Sequence, residues 1–373
     1  MPSAFRKIHP RDEEAPKEGA KKGRGAVGNP TGRYEPTVRA EFDDGWDGYE
    51  DPDFTPAPLR TTVQTDKSRS VICRNDSPDI GFSQSINPYR GCEHGCIYCY
   101  ARPTHAYFGL SSGLDFESRL FAKDDADLLL EKELARPRYV CESIAMGTNT
   151  DPYQPIERER KITRRILEVL SRCNHPCSIV TKSSLVLRDL DILGPMAARG
   201  LVCVMLSVTT LDRSLARRME PRAATPARRL EAIEGLSEAG VPVGVMVAPI
   251  IPALTDHEID PILEAAAAAG AKTAGYTLVR LPFEIKDLFR EWLGKHVPLR
   301  AAHVERLIRD IRGGKLNDSN FGSRMRGTGP YAEQIKRRFN LACKRYGIPR
   351  TFPSLDTTQF RAPCKPGAQL TLF

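Results

Sequence analysis

Cys92, Cys96 and Cys99 stand within eight residues, in the run Gly91-Cys92-Glu93-His94-Gly95-Cys96-Ile97-Tyr98-Cys99-Tyr100. Thiols so close cannot all pair with one another as disulfides, but they converge readily when a loop wraps a metal centre. A protein-closed zinc site wants four ligands, commonly as two separated pairs. Three thiolates in one tight loop suit an iron–sulfur cluster with one iron left open to a substrate or cofactor. A zinc knuckle completed by His94, His105 or a distant cysteine is the alternative.

The triplet, with an aromatic residue just before its third cysteine, resembles the radical S-adenosylmethionine (SAM) enzymes. The flanks Asn87-Pro88-Tyr89-Arg90-Gly91 and Tyr100-Ala101-Arg102-Pro103-Thr104-His105 are similar to the spore photoproduct lyase branch of that superfamily. The resemblance implies that Cys92, Cys96 and Cys99 ligate a [4Fe–4S] cluster whose fourth iron binds SAM. An external electron donor would reduce the cluster, giving a 5′-deoxyadenosyl radical. Tyr98 would lie along the adenine, and Tyr98 and Tyr100 match a tyrosine pair flanking the third cysteine. That branch also uses a hydrogen-donating cysteine near the end of the second barrel strand. Here the stretch Gly147–Asp151 has none, and Cys141 falls at the start of that strand.

These residues need a scaffold. From about Ser83, short apolar runs alternate with longer amphipathic ones. Strands are expected at 82–87, 139–146, 177–181, 201–208, 241–248 and 273–279, with helices at 161–172, 187–198, 226–239 and 257–269. Gly200, Gly240 and Gly270 sit where helices should end. Alternation of strand and helix implies right-handed parallel crossovers. Six strands fall short of a closed eight-stranded barrel. The resemblance implies a partial (β/α)6 TIM-like barrel, α/β in class, and the strand count agrees.

In parallel barrels chemistry gathers at the C-terminal strand ends. After the second strand comes Gly147-Thr148-Asn149-Thr150-Asp151-Pro152, where the resemblance implies contacts from Thr148, Asn149 and Asp151 to SAM. A capping turn through Thr150 or Asp151 is the alternative. The third strand ends on Lys182, matching a lysine that approaches the SAM carboxylate, and the fourth on Ser207, matching a serine that contacts ribose or methionine. The fifth ends in Val247–Asp256, where Asp256 reads as a helix cap.

The 373 residues are 40% hydrophobic and 27% charged, an ordinary globular composition. No run approaches the 18 apolar residues of a membrane helix, and the charged N-terminus carries no signal-peptide core. The ten cysteines then read as reduced thiols of a cytoplasmic protein. Residues 1–60, rich in Lys, Glu, Pro and Gly, are expected as a disordered arm, 61–280 as the barrel, and 281–366 as a helical, basic region. From Arg280 onward 19 Lys or Arg face 8 Asp or Glu, although the whole chain carries only +8. A surplus confined to one segment points to a polyanion, nucleic acid first. The loop 317–329, with Arg324 and Arg326, and the helix face Lys336-Arg337-Arg338 are candidate phosphate donors; a solvated basic surface is the alternative.

The last residues, 367–373, end in Gln369-Leu370-Thr371-Leu372-Phe373. This resembles the peptide by which bacterial DNA polymerases and repair factors dock on the sliding clamp. Leu370, Leu372 and Phe373 would fill an apolar groove, and Gln369 would bond its rim. The expectation is a radical SAM enzyme acting on nucleic acid, DNA favoured, in repair. The alternatives are a radical SAM enzyme for RNA or protein, and a nucleic-acid-binding protein with a structural or redox-sensing cluster.

Overall fold

The computed structural model describes residues 21, 23–38, 59–351 and 354–363. Six parallel strands form the framework: β1 (Gln84–Ile86), β2 (Ile144–Met146), β3 (Cys177–Thr181), β4 (Val202–Ser207), β5 (Val243–Ile250) and β6 (Thr273–Leu278). They lie side by side in chain order, with an antiparallel strand at Ile72–Arg74 added outside β1. The crossovers run through α1 (Ala126–Leu134), α2 (Ile162–Arg172), α3 (Leu190–Ala198), α4 (Pro226–Glu238) and α5 (Ile259–Ala268).

Burial explains the strand patterns. All six residues of β4 are buried, because helices cover one face and the barrel interior the other. Strand β3 alternates, with Cys177, Ile179 and Thr181 buried and the residues between them half-buried. In α2 the residues Ile162, Ile166, Leu167, Val169 and Leu170 face the core, each such side chain contributing roughly 1.5–3 kcal/mol when fully buried. Thr225 caps α4 ahead of Pro226, and Gly200, Gly240 and Gly270 take the left-handed conformation expected at the helix ends.

The expected strands match closely except at 139–146, where pairing is confined to Ile144–Met146. Upstream, the Gln84 amide donates to Val140 O (3.3 Å) in place of a neighbouring strand, and the Tyr139 hydroxyl bonds Gln84 and His175. Cys141 therefore precedes the strand and is half-buried. A second, three-stranded sheet joins Thr62–Thr65, Arg119–Ala122 and Tyr89–Arg90 beside the cysteine loop.

The sheet does not close on itself. After β6 come α6 (Ile285–His296), α7 (Pro298–Asp310) and α8 (Gly329–Arg345). The loop between α7 and α8 crosses the open seam. Leu278 N–H donates to Met325 O (3.0 Å), while Arg324 Nε meets Asp79 Oδ2 (2.5 Å) and Gly322 N–H meets Asp79 Oδ1 (2.7 Å). Buried Arg312 donates to the carbonyls of Leu278, Val279, Ser323 and Arg324. Arg326 donates to Tyr276 O (2.6 Å). The two loop arginines expected to reach phosphates are thus engaged inside the protein, Arg324 with a carboxylate and Arg326 with a backbone carbonyl. Lys336 and Arg337 do lie on the solvent face of α8.

The arm expected to be disordered is corrected for part of its length: Arg24, Ala26 and Val27 are buried. The reason is polar, hence invisible to composition. Glu117 accepts the N–H groups of Gly25 (2.9 Å) and Ala26 (2.8 Å), and Arg24 donates to Glu117 O (2.6 Å). The peptide at 369–373 lies outside the described residues. Among the described residues no helix is long and apolar enough to cross a membrane.

Candidate active site

The cysteine loop lies at the C-terminal mouth of the barrel and is held from several sides. Arg102, fully buried, donates to the carbonyls of Cys96 (2.9 Å), Gly95 (3.0 Å), Ser112 (3.1 Å) and Gly113 (2.9 Å), and pairs with buried Glu117. Gln154 clasps the opposite side, accepting from Glu93 N–H (2.8 Å) and donating to Gly91 O (3.2 Å). Gly25 passes so close beneath that a Cβ on it would sit 1.8 Å from Gly95 O. Hydrogen bonds from Arg102 and Gln154 thus fix the loop's backbone on two sides.

Its three thiols are free, Cys92 and Cys96 buried and Cys99 partly so. Burial pushes all three up from the ordinary thiol range; Asp151 and the other two thiols add to it at Cys92, and Glu220 at Cys96. Protonated, shielded thiols are poor nucleophiles, whereas ligation to iron would remove the proton and spread the charge. Among the described residues no three His, Cys, Asp or Glu side chains converge on one metal ion. The two nearby histidines are also engaged: His94 Nδ1 faces Asp151 Oδ2 (3.3 Å), and His105 Nε2 bonds Arg119 O (2.8 Å). Three soft sulfur donors on one loop fit a cluster whose irons are bound one thiolate each.

Asp151 joins this loop to the barrel. Its carboxylate accepts from Thr181 Oγ1 (2.7 Å), Lys182 N–H (2.8 Å) and Tyr153 N–H (2.9 Å). Burial favours the acid form, but His94 and these donors outweigh it and hold the group near 2, an anion at neutral pH. Gly147, at φ +86°, lets the loop press on the end of β3: a Cβ there would stand 1.9 Å from Val180 O. Asn87, at the end of β1, accepts from Asn149 N–H (3.0 Å) and Thr150 N–H (3.4 Å), and its amide donates to Thr148 Oγ1 (3.3 Å). Thr148, Asn149 and Asp151 are thus brought together, though the Asp151 carboxylate is spent on protein donors.

The other expected residues divide. Lys182 Nζ lies 5.8 Å from the Tyr98 ring centroid, so the two share the mouth. Tyr98 is buried and bonded to Thr209 Oγ1 (3.2 Å) and Glu220; Glu220 in turn pairs with buried Arg229, which donates to Ser207 O (2.9 Å). Ser207 is buried at the end of β4. Tyr100 stands apart on the rim, half exposed, its hydroxyl on Thr148 O. Sequence reasoning missed Arg102, Glu117, Gln154, Thr209, Glu220 and Arg229. Thr209 could have been found by its place past β4; the charged residues read as ordinary surface until burial is known.

Comparison with known proteins agrees with this geometry. Residues 86–266 match the Radical SAM superfamily. An uncharacterized protein of Mycobacterium tuberculosis is 37% identical over 247 residues, covering 64% of this chain and 73% of the relative. One from Methanocaldococcus jannaschii is 31% identical over 200 residues, covering 54% and 73%. Among solved structures, a spore photoproduct lyase mutant with bound AdoMet and dinucleoside spore photoproduct gives a TM-score of 0.54 at 16% identity, over 76% of this chain and 78% of that one. The lyase complexed with dinucleoside spore photoproduct gives 0.53 at 17%, over the same shares. At those identities the likeness shows a shared fold. With its parallel barrel and matching sequence, the chain belongs to the radical SAM superfamily, enzymes that bind a [4Fe–4S] cluster and S-adenosylmethionine.

Proposed function

We propose that Cys92, Cys96 and Cys99 hold the cluster, that SAM occupies its open iron, and that the substrate is nucleic acid, DNA in a repair setting. The observation that supports the chemistry is three shielded thiols, none in a disulfide, on one hydrogen-bonded loop at the mouth of a six-stranded parallel barrel. Bound there, the reduced cluster and SAM supply a 5′-deoxyadenosyl radical able to abstract hydrogen from an unactivated C–H bond. The protein's own part is to place and shield. Lys182 offers a cation for the SAM carboxylate, and Thr148 and Asn149 offer polar groups to the amino acid. Tyr98 offers an aromatic face for the adenine, fixed by Glu220 and Thr209, and Ser207 a hydroxyl for ribose or methionine. Asp151 acts through the loop, tying it to β3. Tyr100, half exposed beside Thr148, is the second tyrosine of the pair, open to an incoming substrate.

Three observations support a nucleic-acid substrate. The basic surplus lies beyond Arg280. The final residues are similar to clamp-docking peptides. The lyase of the same fold has been solved with a dinucleoside lesion. No cysteine stands between Gly147 and Asp151, so hydrogen return by the lyase's cysteine route is not proposed.

The test is anaerobic. Reconstituted, reduced protein should turn SAM into methionine and 5′-deoxyadenosine, faster with DNA, and Cys96→Ala should abolish it. No turnover under full reduction would favour a structural or redox-sensing cluster. Stimulation by RNA or peptide alone would reject DNA.

A further inference from the structure

The mouth carries a feature that the cofactor reading does not use. Among the described residues the exposed Phe and Tyr side chains are Tyr34, Tyr100, Tyr107, Phe108, Phe283 and Phe321, and five of them contact either another of the set or one of Arg33, Arg280 and Arg324. Tyr34 stacks on Tyr107 with centroids 5.5 Å apart. The Arg33 guanidinium lies 5.4 Å from the Tyr34 ring and 4.1 Å from that of Phe283, bridging the N-terminal segment to the residues just past β6. Arg280, three residues before Phe283, lies over Tyr100 at 5.7 Å, and Arg324 over Phe321 at 4.5 Å. Exposed apolar residues scattered singly need no explanation, but exposed rings paired with guanidinium groups beside the strand ends do.

The cations in the set are not equivalent. Arg33 pairs with Glu284, and Arg324 with Asp79. Arg280 has no ion pair among the described residues; its one hydrogen bond is to Met325 Sδ (3.6 Å), and its buried Nε has no partner. A half-buried guanidinium in that state calls for an anion. Phe283 adds a second sign. Its φ of +51° is a costly conformation for a bulky side chain, yet the residue is 59% exposed, so burial offsets little of the strain.

We propose that this rim holds an unpaired nucleic-acid strand, with a phosphate on Arg280 and bases stacked on Phe283 and its neighbours. The assignment rests on the nucleic-acid reading above and deepens it. Stacking rings interleaved with cations suit single strands, whose base faces are open, whereas an intact duplex hides them. An abstraction at a base carbon also needs that nucleotide out of the stack, within reach of the mouth.

The experiment uses the full chain, reconstituted without oxygen, and a labelled oligonucleotide of about 12 nucleotides, single-stranded or paired. The single strand should bind more tightly. Phe283→Ala should weaken it about 5- to 150-fold, the range for one lost base–aromatic stack, and Phe283→Gly, which relieves the backbone, should weaken it equally. Arg280→Gln should flatten the slope of log affinity against log salt by about 0.7, and Arg280→Lys should preserve it. Circular dichroism and iron content unchanged from the parent establish that each variant is folded. Equal binding of strand and duplex, or wild-type affinity in Phe283→Ala and Phe283→Gly, overturns the rim while DNA-stimulated SAM cleavage leaves the wider reading standing. Binding of an acidic peptide but of no oligonucleotide, with no stimulation by DNA, overturns both.

Discussion

Replacing Gly147 by alanine tests whether close approach of the second-strand loop to β3 organises the site. At φ +86° an alanine would incur roughly 1–2 kcal/mol from the left-handed backbone alone. Its Cβ would lie 1.9 Å from Val180 O, about 1.5 Å short of the 3.4 Å where ordinary contact begins. That neighbour is strand backbone, so the loop must be the part that moves. Such a movement would carry Asp151 beyond bonding range of Thr181 Oγ1 and Lys182 N–H, now at 2.7 and 2.8 Å. A hydrogen bond to a charged group contributes roughly 1.5–3 kcal/mol. The expected loss is therefore at least about 3 kcal/mol, with SAM cleavage falling on the order of 100-fold from misplacement near 1 Å. Gly240→Ala is the control: φ is +72°, but nothing lies within 4 Å of the added carbon, so only the backbone cost applies. Urea unfolding and anaerobic 5′-deoxyadenosine formation read both variants. If Gly147→Ala is no less stable than Gly240→Ala and turns over within tenfold of the parent, the coupling through Asp151 is wrong.

Arg102→Met should cost about 3–5 kcal/mol, because it removes the only cation paired with buried Glu117 among the described residues and leaves several loop carbonyls without their donor; iron uptake should fall with it, and a variant that loads a full cluster would refute the scaffold. His105 and His175 are fully buried, and burial lowers both to about 4. Each is held neutral when folded but takes a proton near 6.5 once unfolded, so stability is complete above that pH and falls as pH drops from about 6.5 toward 4, by up to roughly 3 kcal/mol per histidine. A urea midpoint flat between pH 7 and 5 would contradict this. Deleting Leu372 and Phe373 should abolish capture of the protein by a bacterial sliding clamp; undiminished capture would reject the tail as the tether.

Much of the fold could be read from the sequence because it rests on apolar periodicity. Val202–Ser207 and Thr273–Leu278 are runs whose burial and type agree, and Ile162–Arg172 is amphipathic along its whole length. The small sheet could not be read, since Tyr89–Arg90 is two residues long and Thr62–Thr65 is mostly exposed. The cysteines announced themselves by spacing. What grips them did not: Arg102 and Glu117 look like any surface pair until both prove to be fully buried. The same blindness made Arg324 look available for phosphate, when Asp79, 245 residues away, already holds it.

That long-range latch also constrains how the protein can be made. Asp79 emerges early in synthesis, yet its partner follows some 240 residues later, so the flank of the chamber stays ajar until the last third of the chain has been translated. Metal loaded onto the nascent cysteines before then would face solvent, and air, through the unsealed side.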